Sequence, residues 1–236
     1  MPADELTHLH LLEGAEIDIE GRMPWSSNAT FLVNLTVDGE RVGRAIYKPR
    51  DGERPLWDFP PGLHRRELAA YRLSEVMGLG LVPPTIIRDG PFGEGSLQWF
   101  VEADHQQHYF TIYENRPDTH ARLQAVAAFD VVANNTDRKS GHVLIEGEDL
   151  IWAIDHGLCF AAEFKLRTVI WEFGGQPIPL HLLIAIETVA EALPPDLADL
   201  LSAEEVAALI GRARWLLTEG TFPVDNSRRR YPWPLV

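Results

Sequence analysis

The sequence predicts an α+β fold in which a β-rich first half carrying one helix precedes a mostly helical second half. Two observations set the halves: strand-like segments separated by turn signals up to residue 102, and helical periodicity over most of the last third. A third is the wholly polar stretch Asp104–His108, a composition shift that suits a boundary between lobes 1–103 and 104–236.

Residues 11–20 end in alternating apolar and charged positions and predict a half-buried strand. Residues 29–37 are rich in β-branched and aromatic side chains, Asp38-Gly39 is a hairpin turn, and Arg44–Lys48 is the returning strand. Arg65–Gly78 predicts a helix, because Ala69, Leu73, Val76 and Met77 share one face and Gly78 suits a C-cap. Val82-Pro83-Pro84-Thr85 breaks it, and strands follow at 85–88 and 95–102. His120–Val132 predicts a buried helix, followed by a polar loop 134–142 and two short strands, 143–145 and 150–154. Leu180–Leu193 predicts another helix. Ser202-Ala203-Glu204-Glu205 is a capping box that opens a last one, ending at Gly220.

Composition narrows the function classes. With 35 acidic against 21 basic residues the net charge is −14, which argues against nucleic-acid and anionic-membrane partners. No apolar run reaches the roughly 18 residues needed to span a bilayer, and the N-terminus lacks a basic leader region. The lone Cys159 excludes an intrachain disulfide and a CxxC zinc site. A cytoplasmic protein is expected.

The chemistry centres on Asp137 and Asp155, which flank the predicted hairpin 143–154. A hairpin returns the chain to its starting end, so the two carboxylates become neighbours and need a cation between them. Mg²⁺ held by one or two carboxylates and substrate phosphates meets that need. Either aspartate alone is as readily a loop cap. Upstream, Ser26-Ser27-Asn28-Ala29-Thr30-Phe31 precedes a strand and could hold phosphate oxygens, and Lys48 ends the returning strand. A strand lysine paired with a helix glutamate, here Glu67, is the arrangement found in kinases.

In this order the segments resemble the phosphatidylinositol 3-/4-kinase superfamily, nearest to type II phosphatidylinositol 4-kinases and HipA-like kinases, in a small bacterial branch. The resemblance rests on the serine-rich loop, Tyr47-Lys48-Pro49, Glu67 with Ala70-Tyr71, Asn135-Thr136-Asp137-Arg138, and Ala153-Ile154-Asp155-His156-Gly157-Leu158-Cys159-Phe160. Trp57-Asp58-Phe59-Pro60 and Val169-Ile170-Trp171 are similar to segments of the branch. It implies a compact, protein-kinase-like two-lobed fold with an antiparallel β-rich N-lobe and a mostly helical C-lobe. It also implies an ATP-dependent phosphotransferase using Mg²⁺ or Mn²⁺. Asp137 with Arg138 would be catalytic, Asp137 as the base or as the group that orients the substrate hydroxyl. Asp155 would bind the metal. Ser26, Ser27, Asn28, Thr30 and Lys48 would meet the phosphates, Glu67 would hold Lys48, and backbone groups of Phe100, Val101 or Glu102 would face adenine.

One residue departs from the pattern. The family usually has Asn five residues after the catalytic Asp, and this chain has His142. Imidazole suits Mn²⁺ or Zn²⁺ better than Mg²⁺. His142 would be the second metal ligand, with Asn134 or Asn135 as substitutes if the loop turns them inward. The acidic charge argues for a soluble small-molecule or protein hydroxyl as acceptor. Two alternatives remain: a nucleotide-binding pseudokinase or nucleotidyltransferase, and a metal-dependent hydrolase built on His142, Asp155 and His156.

Overall fold

Five antiparallel strands, β1 (Glu16–Arg22), β2 (Phe31–Val37), β3 (Glu40–Pro49), β4 (Thr85–Gly90) and β5 (Gly93–Trp99), form one sheet in the order β1-β2-β3-β5-β4. The computed structural model describes all residues except Met1, Pro2, Trp25, Ser27, His105, Arg228, Arg229 and Val236, and the side chains of Ala3 and Asp4. Asp38 (φ 52°) and Gly39 (φ 80°) turn β2 into β3 in the left-handed conformation that Asp-Gly favours.

The pleat assigns the two faces of the sheet. Val33, Leu35, Ala45, Tyr47 and Leu97 are fully buried on one face. Against them packs α1 (Ala3–Gly14), through Leu12 and the following Ala15. Residues 11–14 are thus helical, and the strand expected from residue 11 begins at Glu16. The helix is closed from outside: the Arg88 guanidinium of β4 donates to the carbonyls of Leu12, Glu13 and Ala15 at 2.8–3.0 Å. Alternation sends Lys48 to the other face, where α2 (Leu63–Val76) lies.

That helix starts two residues before its predicted start. Glu53, in the preceding loop, accepts from the amides of Gly62 (2.8 Å) and His64 (2.9 Å), satisfying donors that the helix N-terminus leaves open. Ala69, Ala70, Tyr71 and Leu73 of α2 join the main core, which continues into the second half of the chain.

The second half holds α3 (Tyr109–Asn115), α4 (His120–Ala133), the hairpin β6 (Val143–Glu146) and β7 (Leu150–Ala153), α5 (Leu180–Glu191), α6 (Pro195–Ala198) and α7 (Ala203–Glu219). Helix α4 is buried on nearly all sides, and each of its enclosed Leu, Val and Phe side chains stabilises the fold by roughly 1.5–3 kcal/mol. The capping box reads as predicted: Ser202 Oγ accepts from Glu205 N, and Glu205 Oε2 accepts from Ser202 N. Gly220 (φ 63°) ends α7. The short helices α3 and α6 fall where no helix is predicted. Among the described residues no helix is long and apolar enough to cross a membrane.

Two extended segments complete this half. Residues 167–169 lie parallel to the loop after α4, with Arg138 N donating to Arg167 O (3.1 Å), Arg167 N to Asn135 O (2.9 Å) and Val169 N to Arg138 O (3.1 Å). The C-terminal strap runs along the far side of that segment. Thr168 N donates to Arg230 O (3.0 Å), and Ser140 N donates to Leu235 O (2.8 Å).

Candidate active site

The sheet, α2 and the β6–β7 hairpin bring three predicted residues together. Lys48 Nζ lies 2.5 Å from Glu67 Oε1 and 2.8 Å from Asp155 Oδ1. Glu67 is buried, and its second oxygen accepts from the amide of His156 (2.9 Å), so the helix glutamate holds both the lysine and the residue after Asp155. Burial alone would pull the Lys48 ammonium down, but Asp155 and Glu67 outweigh it and hold its pKa above the usual range. Burial likewise pushes the Asp155 carboxyl up, and Lys48 and His142 reverse that, keeping it ionised well below the usual range. Asp155 also sits at φ 60°, a left-handed conformation rare for a residue other than glycine. Such strain persists where surrounding structure fixes it.

Asp137 lies in the loop after α4, with its amide donating to Asn135 Oδ1 (3.0 Å) and its Oδ2 3.0 Å from Lys139 Nζ. Burial raises its pKa, against the opposing pull of Lys139. A carboxylate so raised is a better proton acceptor. Lys139 was not singled out from the sequence; its signal is a position two residues after Asp137, on the same side of an extended loop.

His142 stands between the two aspartates. Its Nδ1 is 3.0 Å from the Asp137 carbonyl, which can only accept, and 3.4 Å from the Lys139 amide, which can only donate; the shorter contact favours the proton on Nδ1. Burial keeps the ring neutral, pulling its pKa down to about 4. Nε2 then offers a lone pair, 3.4 Å from Asp155 Oδ2. Two acceptors face each other across a gap that a cation would bridge.

Arg138 does not meet the catalytic expectation. Its guanidinium is fully buried and binds inward, to Asp130 (3.0 Å), to the carbonyls of His142 (3.1 Å) and Ile154 (2.7 Å), and to His156 Nε2 (2.8 Å). It therefore positions the loop that carries Asp137 and the loop that carries Asp155. Asp130 receives Arg138 together with Asn135 Nδ2 (3.0 Å) and Thr168 Oγ1 (3.3 Å). This organiser was missed, although a lone acid in the apolar run Ala125–Ala133 was the available signal.

This geometry can be compared with known proteins. No family model matches the chain. Protein Rv2133c of Mycobacterium tuberculosis is 40% identical across 96% of this chain and 94% of its own length. The chain belongs to the Rv2133c family. Phosphatidylinositol 4-kinase gamma 2 of Arabidopsis thaliana is 26% identical over 74% of this chain and 39% of its own length. Among solved structures, the Golgi casein kinase with Mn/ADP bound superposes with a TM-score of 0.57 at 14% identity, over 98% of this chain and 80% of that one. The hydra Fam20 with sugar gives 0.55 at 13% identity (93% and 89%), and the Helicobacter pylori kinase CtkA 0.52 at 12% (89% and 94%). These likenesses show a kinase-like fold, with its β-rich and helical lobes.

The remaining predicted residues of this Rv2133c-family chain are placed unevenly. Ser26 Oγ and Thr30 Oγ1 bond each other at 2.7 Å, and Asn28 Oδ1 accepts from Arg54 N (2.9 Å), so these groups brace the β1–β2 loop. Ser27 lies outside the described residues. Phe100 N donates to Arg44 O (3.1 Å), which spends that amide on the sheet. Among the described residues no hydrogen bond engages the backbone of Val101 or Glu102. The Glu102 side chain pairs with Arg44. Asn134 and Asn135 are not turned toward the metal position: Asn134 Nδ2 binds the Ala161 and Glu163 carbonyls, and Asn135 binds Asp130.

Among the described residues no group of three His, Cys, Asp or Glu side chains could hold a metal ion. His156 is fully buried, with Nε2 on Arg138. The hydrolase reading, which needs His142, Asp155 and His156 around one ion, is overturned by this placement. Two donors, Asp155 and His142 Nε2, fit a cation that takes its other ligands from substrate phosphates and water.

Proposed function

We propose that this chain is an ATP- and divalent-metal-dependent phosphotransferase acting on a hydroxyl group. The observation that carries it is the Lys48 ammonium between the Glu67 and Asp155 carboxylates, joining a sheet, a helix and a loop 107 positions away. No structural need of a surface lysine accounts for two carboxylate partners at 2.5 and 2.8 Å. The kinase-like fold of the Golgi casein kinase, with Mn/ADP bound, supports the same reading.

In it Lys48 binds the α- and β-phosphate oxygens, oriented by Glu67. Asp155 and His142 would hold Mn²⁺ or Mg²⁺, which neutralises the developing phosphate charge when bound. The Val101 and Glu102 backbone faces adenine in a cleft between lobes 1–103 and 104–236. Asp137 accepts the acceptor hydroxyl's proton as that oxygen attacks the γ-phosphorus. The bond from that phosphorus to the β–γ bridging oxygen breaks, and ADP leaves with the electron pair. Lys139 steadies the Asp137 carboxylate, and Arg138 holds both loops from beneath.

The test is nucleotide binding and turnover with Mg²⁺ and Mn²⁺, beside Asp155→Ala. Metal-dependent ATP binding lost in the variant is expected; absence of metal-dependent binding in the wild type refutes the proposal. His142, in place of the Asn usual in the phosphatidylinositol-kinase pattern that the sequence resembles, favours a second reading, binding without phosphoryl transfer. ADP release with phosphate on the acceptor rejects it, and AMP on a protein would mark nucleotidyl transfer instead.

A further inference from the structure

Two amides beside Asp137 take their acceptors from one distant segment. Ser140 N, three residues after Asp137, donates to Leu235 O (2.8 Å), and Thr168 N, on the bridge partner of Arg138, donates to Arg230 O (3.0 Å). The strap, described at 225–227 and 230–235, is thus a third ply on the two segments whose pairing turns Asp137 out and Arg138 in. Ser140 is fully buried, so its amide needs an acceptor, and the strap supplies it. Ser140 also opens the single helical turn Ser140–His142. Its neighbours on either side touch Asp137: Lys139 Nζ is 3.0 Å from the carboxylate and His142 Nδ1 3.0 Å from the carbonyl. Fixing the Ser140 amide therefore fixes the surroundings of Asp137.

The strap does little else. Its root is Phe222, which exchanges hydrogen bonds with Gly175 (2.9 Å) and Gln176 (3.0 Å), and among the described residues the main core reaches no further along the chain. Of the described residues 225–235 only Pro232 is buried, and Trp233 is 87% exposed. A segment that merely covered the domain would be held by apolar side chains. This one is held by backbone bonds, by ring contacts of Tyr231 with Trp171 and of Arg230 with Phe164, and by Asp225. The Asp225 carboxylate accepts from Ser227 N (2.9 Å), Ser227 Oγ (2.5 Å) and Arg230 N (3.1 Å), which folds the turn that delivers Arg230 to Thr168.

We propose that the strap positions the catalytic loop, and that Asp225 is the positioning residue that sets the strap in place. It acts through Arg230 and Thr168 on the register that presents Asp137 to the acceptor hydroxyl, so the inference rests on the phosphotransferase reading. Without the strap the loop keeps its three backbone bonds to residues 167–169 and stays folded, but its Ser140 end is released. A displacement of about 1 Å at a catalytic group is enough to cost about a hundredfold in rate.

Amide hydrogen exchange and ATP turnover, both on the full chain, test this with Asp225→Ala, Asp225→Asn and Ser140→Pro. Lys139 already has the extended backbone (φ −82°, ψ 163°) that precedes a proline, and Ser140 is the first residue of a helical turn, so proline there removes the N–H donor with the backbone kept. Among the described residues the Ser140 hydroxyl has no hydrogen-bond partner to lose. In Asp225→Ala and Ser140→Pro, exchange at the Arg138 and Val169 amides is expected to rise at least about tenfold, with α4 and α7 unchanged and melting within about 3 °C of wild type. Turnover of ATP with Mn²⁺, water being the acceptor, is expected to fall about ten- to a hundredfold, while ADP affinity by calorimetry stays within about twofold. Asp225→Asn, which keeps an acceptor oxygen, is expected to recover most of both. Unchanged exchange at those two amides, or faster exchange with undiminished turnover, overturns the inference. So does a fall in turnover matched by lost ADP affinity or by faster exchange throughout α4 and α7, which marks a merely structural strap. A wild type that neither binds ADP nor turns over ATP sinks the phosphotransferase reading instead, and the exchange rates then decide by themselves whether the strap holds the loop.

Discussion

Replacing Arg138 with methionine separates a positioning role from a catalytic one. Methionine keeps much of the volume and removes the guanidinium, leaving the Asp130 carboxylate buried with only Asn135 and Thr168 as side-chain partners. Breaking a buried ion pair from one side costs about 3–5 kcal/mol, because the remaining charge is uncompensated. The carbonyls of His142 and Ile154 and His156 Nε2 lose a donor as well, each worth about 1 kcal/mol less any rescue by water. A loss of about 4 kcal/mol is therefore expected, or about 8–16 °C in Tm for a chain of this size. Thermal and urea unfolding of the metal-free protein measure it. In the double variant Asp130→Leu/Arg138→Met neither charge remains, and about 2 kcal/mol should return relative to the summed single losses. If Arg138→Met melts within about 3 °C of wild type while turnover collapses, the guanidinium acts on substrate and the inward reading is wrong.

Four further outcomes follow from the same geometry. Lys48→Met should weaken ATP binding by about ten- to a hundredfold and also cost about 3 kcal/mol of stability, because it leaves the buried Glu67 carboxylate with the His156 amide alone, read by nucleotide titration and melting. Asp137→Asn should leave nucleotide affinity unchanged and lower the rate constant of transfer by about 10²–10⁴, since it removes only the proton acceptor. His142→Asn should raise the ratio of Mg²⁺- to Mn²⁺-supported activity by about tenfold, because an amide oxygen is a harder ligand than imidazole; an unchanged ratio removes His142 from the metal site. Burial raises the Glu53 carboxyl, but the His64 ring and the amides at the start of α2 pull its pKa down from 4.5 to about 2. A carboxyl depressed on folding stabilises above its unfolded pKa and loses that contribution as pH falls through the folded one, here between about 5 and 2, so Glu53→Gln should cost up to about 3 kcal/mol at neutral pH and little at pH 2.

Local chemistry made much of the fold legible. The Asp38-Gly39 turn, the Ser202 capping box with its Gly220 stop, and the apolar run of α4 carry their instructions within a few residues, because turns, caps and periodic burial are short-range effects. The carboxylate partners of the β6–β7 hairpin were legible for the same reason: a hairpin brings its ends together whatever surrounds it. What stayed hidden depends on contacts between distant segments. Helix α1 is capped by Arg88, more than 70 positions away, and the start of α2 by Glu53. Only packing could show that Asn28 braces a loop, that Asn134 turns to the segment after Asp155, and that Arg138 points inward.

By itself the sequence determined the α+β succession, the two aspartate loops, and the lysine and glutamate that belong with them. Their spacing along the chain and their local turn and strand signals suffice for that. The tertiary structure alone decided which of two neighbouring side chains faces the chemistry. Asp137 points out and Arg138 points in, because the loop pairs with residues 167–169 and a paired extended segment alternates its faces. The sequence contains both residues but not the partner segment that sets the register between them.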